Sequence, residues 1–148
     1  MLKRIFIILL LFSIAYFSHT PHLKVTDPTS WRNPPVWDHK ATLWSILQPS
    51  SPFYTSYTYG LDLEFILRKV AHISFFGLLA LLIYWNSKKN SWRYVKAWVL
   101  LACFAFLDEL HQAFIIGRDG RIIDVAIDSF GGALFLFLLY RYKKISNS

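Results

Sequence analysis

Two long apolar stretches near the C-terminal end decide the fold: residues 97–116 read AWVLLACFAFLDELHQAFII, and residues 122–140 read IIDVAIDSFGGALFLFLLY. About 20 residues of α-helix span the roughly 30 Å hydrocarbon core of a bilayer. A third stretch of this kind covers residues 65–85, and a shorter one covers residues 4–18. The sequence therefore predicts an all-α, polytopic membrane protein with four transmembrane helices.

Composition sets the chain apart from ordinary soluble domains. Its 148 residues, which we treat as a single domain (residues 1–148), are 55% hydrophobic and only 17% charged. Soluble domains carry about 25% charged residues. The high apolar content excludes a disordered chain. The single cysteine, Cys103, excludes a disulfide scaffold and a cysteine-rich zinc site.

Basic residues predict the orientation in the membrane. Lys3 and Arg4 precede the first helix, four basic residues lie within residues 88–96, and three more follow the last helix at residues 141–144. If all four helices cross, these clusters share one side, and the positive-inside rule places both termini in the cytoplasm of a multi-pass cell-membrane protein. Topology thus accounts for the net charge of +7. The predicted partner is the lipid bilayer, and nucleic acid is not expected, because no separate basic domain exists to bind it.

The segment between the first two helices, residues 19–60, is the longest polar part of the chain and contains all six prolines. Proline lacks a backbone donor and interrupts regular structure, so we predict an extracytoplasmic loop with one short helix near residues 41–47. Its aromatic residues favour anchoring at the outer membrane interface, with a lid over a pocket as the alternative. The first helix could alternatively be a signal peptide, because residues 13–15 resemble a cleavage site in which two small residues flank a third residue.

Charged and polar side chains occur inside the last three predicted spans. An ionised residue at the bilayer centre costs about 2.5–3.5 kcal/mol on insertion scales, so these side chains must face protein or a water-filled cavity. Residues four apart share a helix face, and three such pairs lie at matching depths near the outer helix ends. We predict that they converge on one polar site near the outer leaflet. The candidate residues are Arg68, His72, Asp108, Glu109, Gln112, Arg118, Asp124 and Asp128.

Finer predictions concern the contacts around this site. Arg118 lies in the short turn before the last helix, and we expect Asp124 to orient it. We also expect Arg68 or His72 to reach Asp108 or Asp124, because isolated charges in lipid are costly. The small residues at 131–132 predict a close approach of a neighbouring helix.

Two motifs carry a resemblance to a known family. The first is residues 68–72 (RKVAH) followed by residues 76–79 (FGLL). The second is residues 108–112 (DELHQ) with Phe114 and Arg118, then Asp124, Asp128 and residues 131–133 (GGA). With these motifs the chain resembles the VanZ-like family of bacterial integral membrane proteins over about residues 63–139. The family usually has an asparagine where Asp128 stands. The resemblance implies a cell-envelope protein with a role in low-level resistance to glycopeptide antibiotics such as teicoplanin.

Three kinds of function fit this site. The first is binding of a lipid headgroup or an envelope precursor, in which arginine forks hold an anionic group. The second is a membrane enzyme acting on a lipid-linked or cell-wall substrate, with carboxylates that hold a divalent cation or act as acid and base. No nucleophile or metal-ligand motif is matched, so no catalytic residue, metal ligand or cofactor is assigned. The third is a structural helix bundle in which Arg68, Arg118 and Arg121 neutralise the carboxylates.

Overall fold

The fold is all-helical over the part of the chain that the computed structural model describes, residues 2–57 and 62–146, where no strand occurs. Short 3₁₀ turns lie within the long loop at Pro28–Arg32 and Pro52–Tyr54. The α-helices are α1 (Leu2–Ser18), α2 (Leu43–Leu47), α3 (Leu63–Asn86), α4 (Arg93–Gln112) and α5 (Ile122–Ser146). Residues 58–60 of the predicted loop lie outside the described residues.

The structure corrects the predicted bounds of the third long helix. That helix was expected at residues 97–116, but α4 begins at Arg93 and ends at Gln112. It ends early because the backbone that follows bonds to the loop instead of continuing the helix. The N–H of Ile116 donates to the Val36 carbonyl at 2.9 Å, and the N–H of Asp38 donates to the Phe114 carbonyl at 2.9 Å. Long-range backbone bonds of this kind leave no local sequence signal.

The four long helices run alternately up and down. Just after α1, the N–H of Val25 donates to the Glu64 carboxylate at the start of α3. At the opposite end, Arg93 and Lys143 donate to the backbone carbonyl and the hydroxyl of Tyr84, near the end of α3. We name the end where α3 and α5 begin the site end. We name the opposite end, which carries the basic residues of 88–96 and 141–144, the basic end.

The core lies where α3 packs against α1, α4 and α5. Phe76, Leu79 and Ala80 of α3 are buried against Leu101 of α4 and Leu136 of α5. These residues are purely apolar, so the core can hold the helices in register without specifying any chemistry. The polar candidate residues lie outside this core, at the site end.

A seam of small residues lets α5 approach its neighbours, as the sequence predicted. Gly131 and Gly132 are both buried. A Cβ atom on Gly131 would lie 3.0 Å from the Cα and carbonyl oxygen of Ile73, and one on Gly132 would meet the side chain of Leu101. The backbones of α3 and α5 therefore pack too closely here for a side chain to intervene.

Two of the four long helices, α3 and α5, are long and apolar enough to cross a membrane by length and composition. The other two fall short of this criterion, since α1 has only 17 residues and α4 carries charged residues at both of its ends. The described chain thus supports a membrane protein with two candidate spans, where the sequence predicted four. The short loop helix is present as α2, with Thr42 and Ser45 forming a capping box at its start.

Candidate functional site

A polar cavity of about 280 Å³ opens at the site end. Its walls come from α3, from α4, and from the turn and first residues that lead into α5. Six of the eight candidate residues line it: Arg68, His72, Glu109, Gln112, Arg118 and Asp124. The other two do not line the cavity, but each contacts a residue that does. Asp108 accepts from Gln112 at 2.9 Å, and Asp128 is 3.2 Å from His72 Nδ1.

An apolar cleft of about 240 Å³ adjoins the polar cavity. It lies between α1, α3 and the long loop, and its walls are mainly aromatic and aliphatic. Arg68, His72 and Arg118 line both spaces. The apolar lining consists of Ile14, Phe17, Leu23, Val25, Trp31, Ala71, Phe75 and Phe76. The two spaces therefore meet at a charged boundary, which gives the site one polar and one apolar compartment.

The loop contributes walls to both compartments. Trp31 lines the apolar cleft, and Tyr57 lines the polar cavity and donates a hydrogen bond to Asp124. The guanidinium of Arg121 donates to Thr55 and Ser56 near the end of the described loop. The loop is therefore part of the site. Its anchoring at the membrane interface stays a prediction.

Asp124 is paired with Lys69, and the expected pair with Arg118 does not form. Lys69 Nζ lies 2.5 Å from Asp124 Oδ1, so α3 supplies the cation. Arg118 instead donates from Nη2 to Gln112 Oε1 at 2.8 Å. Arg118 follows Gly117, whose φ of +81° lies in the left-handed region that favours glycine.

His72 also pairs with a carboxylate other than those expected. Its Nδ1 lies 3.2 Å from Asp128 Oδ2, whereas Asp108 or Asp124 was the expected partner. Asp108 is engaged elsewhere, because its Oδ2 accepts from the Ser18 hydroxyl at 2.9 Å and from Gln112. The structure therefore shows neither predicted contact as a hydrogen bond or ion pair among the described residues, and α3 and α5 are joined instead by the pairs Lys69–Asp124 and His72–Asp128.

Two carboxylates are almost completely removed from solvent. Glu109 is 1% exposed and Asp128 is 0% exposed. Glu109 accepts from the backbone N–H of Arg121 at 2.9 Å and from Gln112 Nε2 at 3.0 Å. Within the described residues, no lysine or arginine forms an ion pair with either carboxylate. Among the residues that the structure describes, no arginine therefore forms the expected neutralising pair with Asp108, Asp124 or Asp128.

Two guanidinium groups at the cavity have unused donors. Arg68 makes no hydrogen bond or ion pair within the described ranges, and its buried Nε has no partner. Arg118 makes one hydrogen bond, and its Nε is also buried without a partner. Burial lowers the pKa of the Arg118 guanidinium, and the nearby Glu109 carboxylate opposes this shift. A guanidinium stays charged in proteins, so both groups are available to an anionic ligand.

A comparison with protein families identifies the family of the chain. The VanZ/LLP1 family model matches residues 4–143, which is nearly the whole chain and includes all eight candidate residues. The chain belongs to the VanZ/LLP1 family. The resemblance noted over about residues 63–139 therefore extends through α1 and the loop. No curated protein and no solved structure matches the chain.

Sequence reasoning missed three residues of the site in this VanZ/LLP1 protein. Lys69, Tyr57 and Arg121 all line the polar cavity. Lys69 could have been predicted from its spacing, because it lies three residues before His72 and so shares its helix face. Tyr57 could not, because its loop reaches α5 only through tertiary packing. Arg121 was considered as a ligand of an anionic headgroup or as a neutraliser of carboxylates, whereas its guanidinium binds the loop.

Proposed function

We propose that this VanZ/LLP1 protein binds an anionic amphiphile, a lipid headgroup or a lipid-linked envelope precursor, at the outer face of the cell membrane. The headgroup occupies the polar cavity, and the hydrocarbon chain occupies the apolar cleft. One observation carries this proposal: the two compartments share Arg68, His72 and Arg118. A ligand with a charged end and an apolar end matches this arrangement, and sequestering such a precursor would give the low-level teicoplanin resistance that the family resemblance implies.

The charges at the boundary favour an anionic headgroup. Arg68 and Arg118 both have buried Nε–H groups without acceptors. An unsatisfied buried donor costs about 1–3 kcal/mol, which a ligand oxygen would recover on binding. Phosphate and carboxylate groups match the planar donor fork of arginine better than other anions do. The shared arginines thus favour a ligand whose phosphate or carboxylate lies next to its hydrocarbon chain.

The same proposal places all four long helices across the membrane. Large apolar side chains are exposed on the two helices that fall short of the span criterion, such as Phe12 on α1 and Leu107 on α4. Soluble monomers rarely expose large contiguous apolar surfaces, whereas lipid covers them. With the basic end in the cytoplasm, both termini lie inside and the polar cavity faces the outer leaflet.

Reporter fusions test this topology. Fusions after Tyr54 and after Gly120 should report the outside, and a fusion after Lys89 should report the cytoplasm, because basic residues remain on the cytoplasmic side. Measured activities of alkaline phosphatase and green fluorescent protein fusions provide complementary signals for each site. A cytoplasmic signal after Tyr54 would contradict the four-crossing arrangement.

Arg118→Lys tests the binding site itself. Lysine keeps the positive charge but loses the planar fork, so we expect affinity for an anionic amphiphile to fall about tenfold, or roughly 1.4 kcal/mol. The measurement is binding of a fluorescent polyisoprenyl phosphate to the full chain in phosphatidylcholine nanodiscs. The neutral polyisoprenol and free inorganic phosphate serve as separate ligands, to distinguish lipid recognition from phosphate recognition.

The matched control is Arg32→Lys, at an exposed position of the loop outside both compartments. It should bind with unchanged affinity. Equal affinity of the wild type for the phosphate lipid and the neutral alcohol would contradict the proposal. In cells, Arg118→Lys at matched protein abundance should reduce teicoplanin resistance, whereas Arg32→Lys should preserve it.

Catalysis on a lipid-linked substrate is a second candidate, favoured by one observation. Glu109 and Asp128 are buried beside His72 without a lysine or arginine ion pair in the described chain. Close carboxylates without cationic partners are typical of acid–base and metal centres. Mass spectrometry of a polyisoprenyl pyrophosphate after incubation with the protein distinguishes the candidates, because simple binding returns the lipid unchanged.

A further inference from the structure

We infer that His72, Glu109 and Asp128 form a binding site for one divalent metal ion at the inner wall of the polar cavity. Each residue offers one ligand atom, and these atoms lie within 4.8 Å of one another. Ligand atoms on a tetrahedral zinc ion with bonds of about 2.1 Å are separated by roughly 3.4 Å. Small side-chain rotations would therefore bring the three atoms onto one ion, with no change in the helices.

An unpartnered buried oxygen is an independent indication of a ligand. Asp128 is fully buried, and its Oδ1 has no hydrogen-bond partner within the described chain. Its other oxygen, Oδ2, lies 3.2 Å from His72 Nδ1. Buried carboxylate oxygens are normally satisfied by donors or by cations, because an unsatisfied one is costly. A metal ion in the trio would supply the missing partner.

The charges around the trio call for a cation that the described chain does not itself provide. Glu109 and Asp128 together carry two negative charges when ionised, and no lysine or arginine of the described chain forms an ion pair with either one, although Arg68 and Arg118 line the same cavity. Lys69 pairs with Asp124, and the Arg121 guanidinium binds the loop and Asp119. A divalent ion bound by two carboxylates and a neutral imidazole makes the site electrically neutral. A buried neutral site costs far less than two buried anions.

The ligand set indicates which metals fit. One imidazole nitrogen and two carboxylate oxygens suit Zn²⁺ and Mn²⁺, whereas Ca²⁺ prefers oxygen ligands alone. Three protein ligands leave at least one coordination position open. His72 and Glu109 line the polar cavity, so that open position faces it. If the proposed amphiphile carries a phosphate, one of its oxygens would bind the ion, and this last step rests on the proposed function.

Metal titration of the full chain tests the site without any lipid ligand. The tag-free protein in detergent is stripped with a chelator and then titrated separately with ZnCl₂ and MnCl₂ by isothermal titration calorimetry. We expect saturable binding of one ion per chain with at least one of the two metals. His72→Gln and Asp128→Asn should each weaken binding at least about tenfold, because loss of even a supporting residue costs that much at metal sites.

The matched control is His19→Gln. His19 Nδ1 lies 3.0 Å from His111 Nε2, and in this stacked pair of the described chain two imidazoles meet, so it is the alternative place for a metal ion. The control should leave metal affinity unchanged. Absence of saturable binding, or unchanged binding in His72→Gln, would overturn the inference, and a loss only in His19→Gln would assign the ion to the stacked pair.

Circular dichroism establishes that each variant is folded. Should Asp128→Asn fail to fold, His72→Gln decides the question, because the His72 side chain is 23% exposed and tolerates replacement better. Amphiphile binding measured in chelator keeps the two proposals separate. Lipid binding without metal binding overturns only the metal site, and metal binding without lipid binding overturns only the proposed function.

Discussion

Replacing Lys69 with methionine is expected to lower the free energy of unfolding by about 3 kcal/mol, because it leaves the Asp124 carboxylate buried without its cation. The two side chains are 18% and 9% exposed and 2.5 Å apart, so water can replace little of the lost interaction. Methionine is close to lysine in length and retains the packing of its stem. The effect therefore reports the missing charge and not a cavity.

The measurement is denaturant unfolding of the detergent-solubilised chain, followed by circular dichroism. Lys40→Met, at an exposed position of the loop, is the control and should change the unfolding free energy by less than about 0.5 kcal/mol. Adding Asp124→Asn to Lys69→Met should restore part of the loss, because partners in one ion pair are not additive. Strictly additive losses in the double variant would contradict the pairing.

Replacing Gly131 with leucine is expected to destabilise the bundle by about 3 kcal/mol, at the upper end of typical overpacking effects. Even a single Cβ atom there would lie 3.0 Å from the backbone of Ile73. Backbone atoms cannot rotate away as a side chain can, so α3 and α5 must separate. Separation would also pull Asp124 away from Lys69, since these residues belong to the same two helices.

Ala133→Leu provides a matched control for the glycine variant. Residue 133 lies two positions further along α5, on an exposed face, and receives the same leucine side chain. It should unfold within about 0.5 kcal/mol of the wild type, as surface substitutions usually do. Similar losses at both positions would attribute the effect to the helix itself and would refute a close α3–α5 contact.

The helices were predictable from sequence to the extent that hydrophobicity alone defines them. Apolar runs located all four long helices, and the bounds of α3, Leu63–Asn86, lie within two residues of the predicted 65–85. The end of α4 was not predictable, because the residues after Gln112 remain apolar and their backbone bonds to Val36 and Asp38 depend on the folded loop. Apolar character indicates burial, and it does not say whether the buried backbone is helical.

The candidate site shows a similar division. Spacing of three or four residues predicted which side chains share a helix face, and it correctly gathered residues from several elements around one cavity. The pairing of individual charges was not predictable, because it depends on how each helix is rotated about its axis. In the folded chain Asp124 pairs with Lys69 of α3, and Arg118 bonds to Gln112 of α4 instead.

The backbone bonds between the loop and the turn that carries Arg118 have a consequence for ligand affinity. His22 donates to the carbonyl of Gly117, and Ile116 donates to that of Val36, so the chain on the N-terminal side of Arg118 is fixed before any ligand arrives. Ordering a mobile segment on binding would consume about 1–2 kcal/mol of conformational entropy per residue. A ligand that binds Arg118 needs to immobilise only the side chain, which costs about 0.5–1.5 kcal/mol of conformational entropy. The folding of the loop has thus already met most of the entropic cost of recognition.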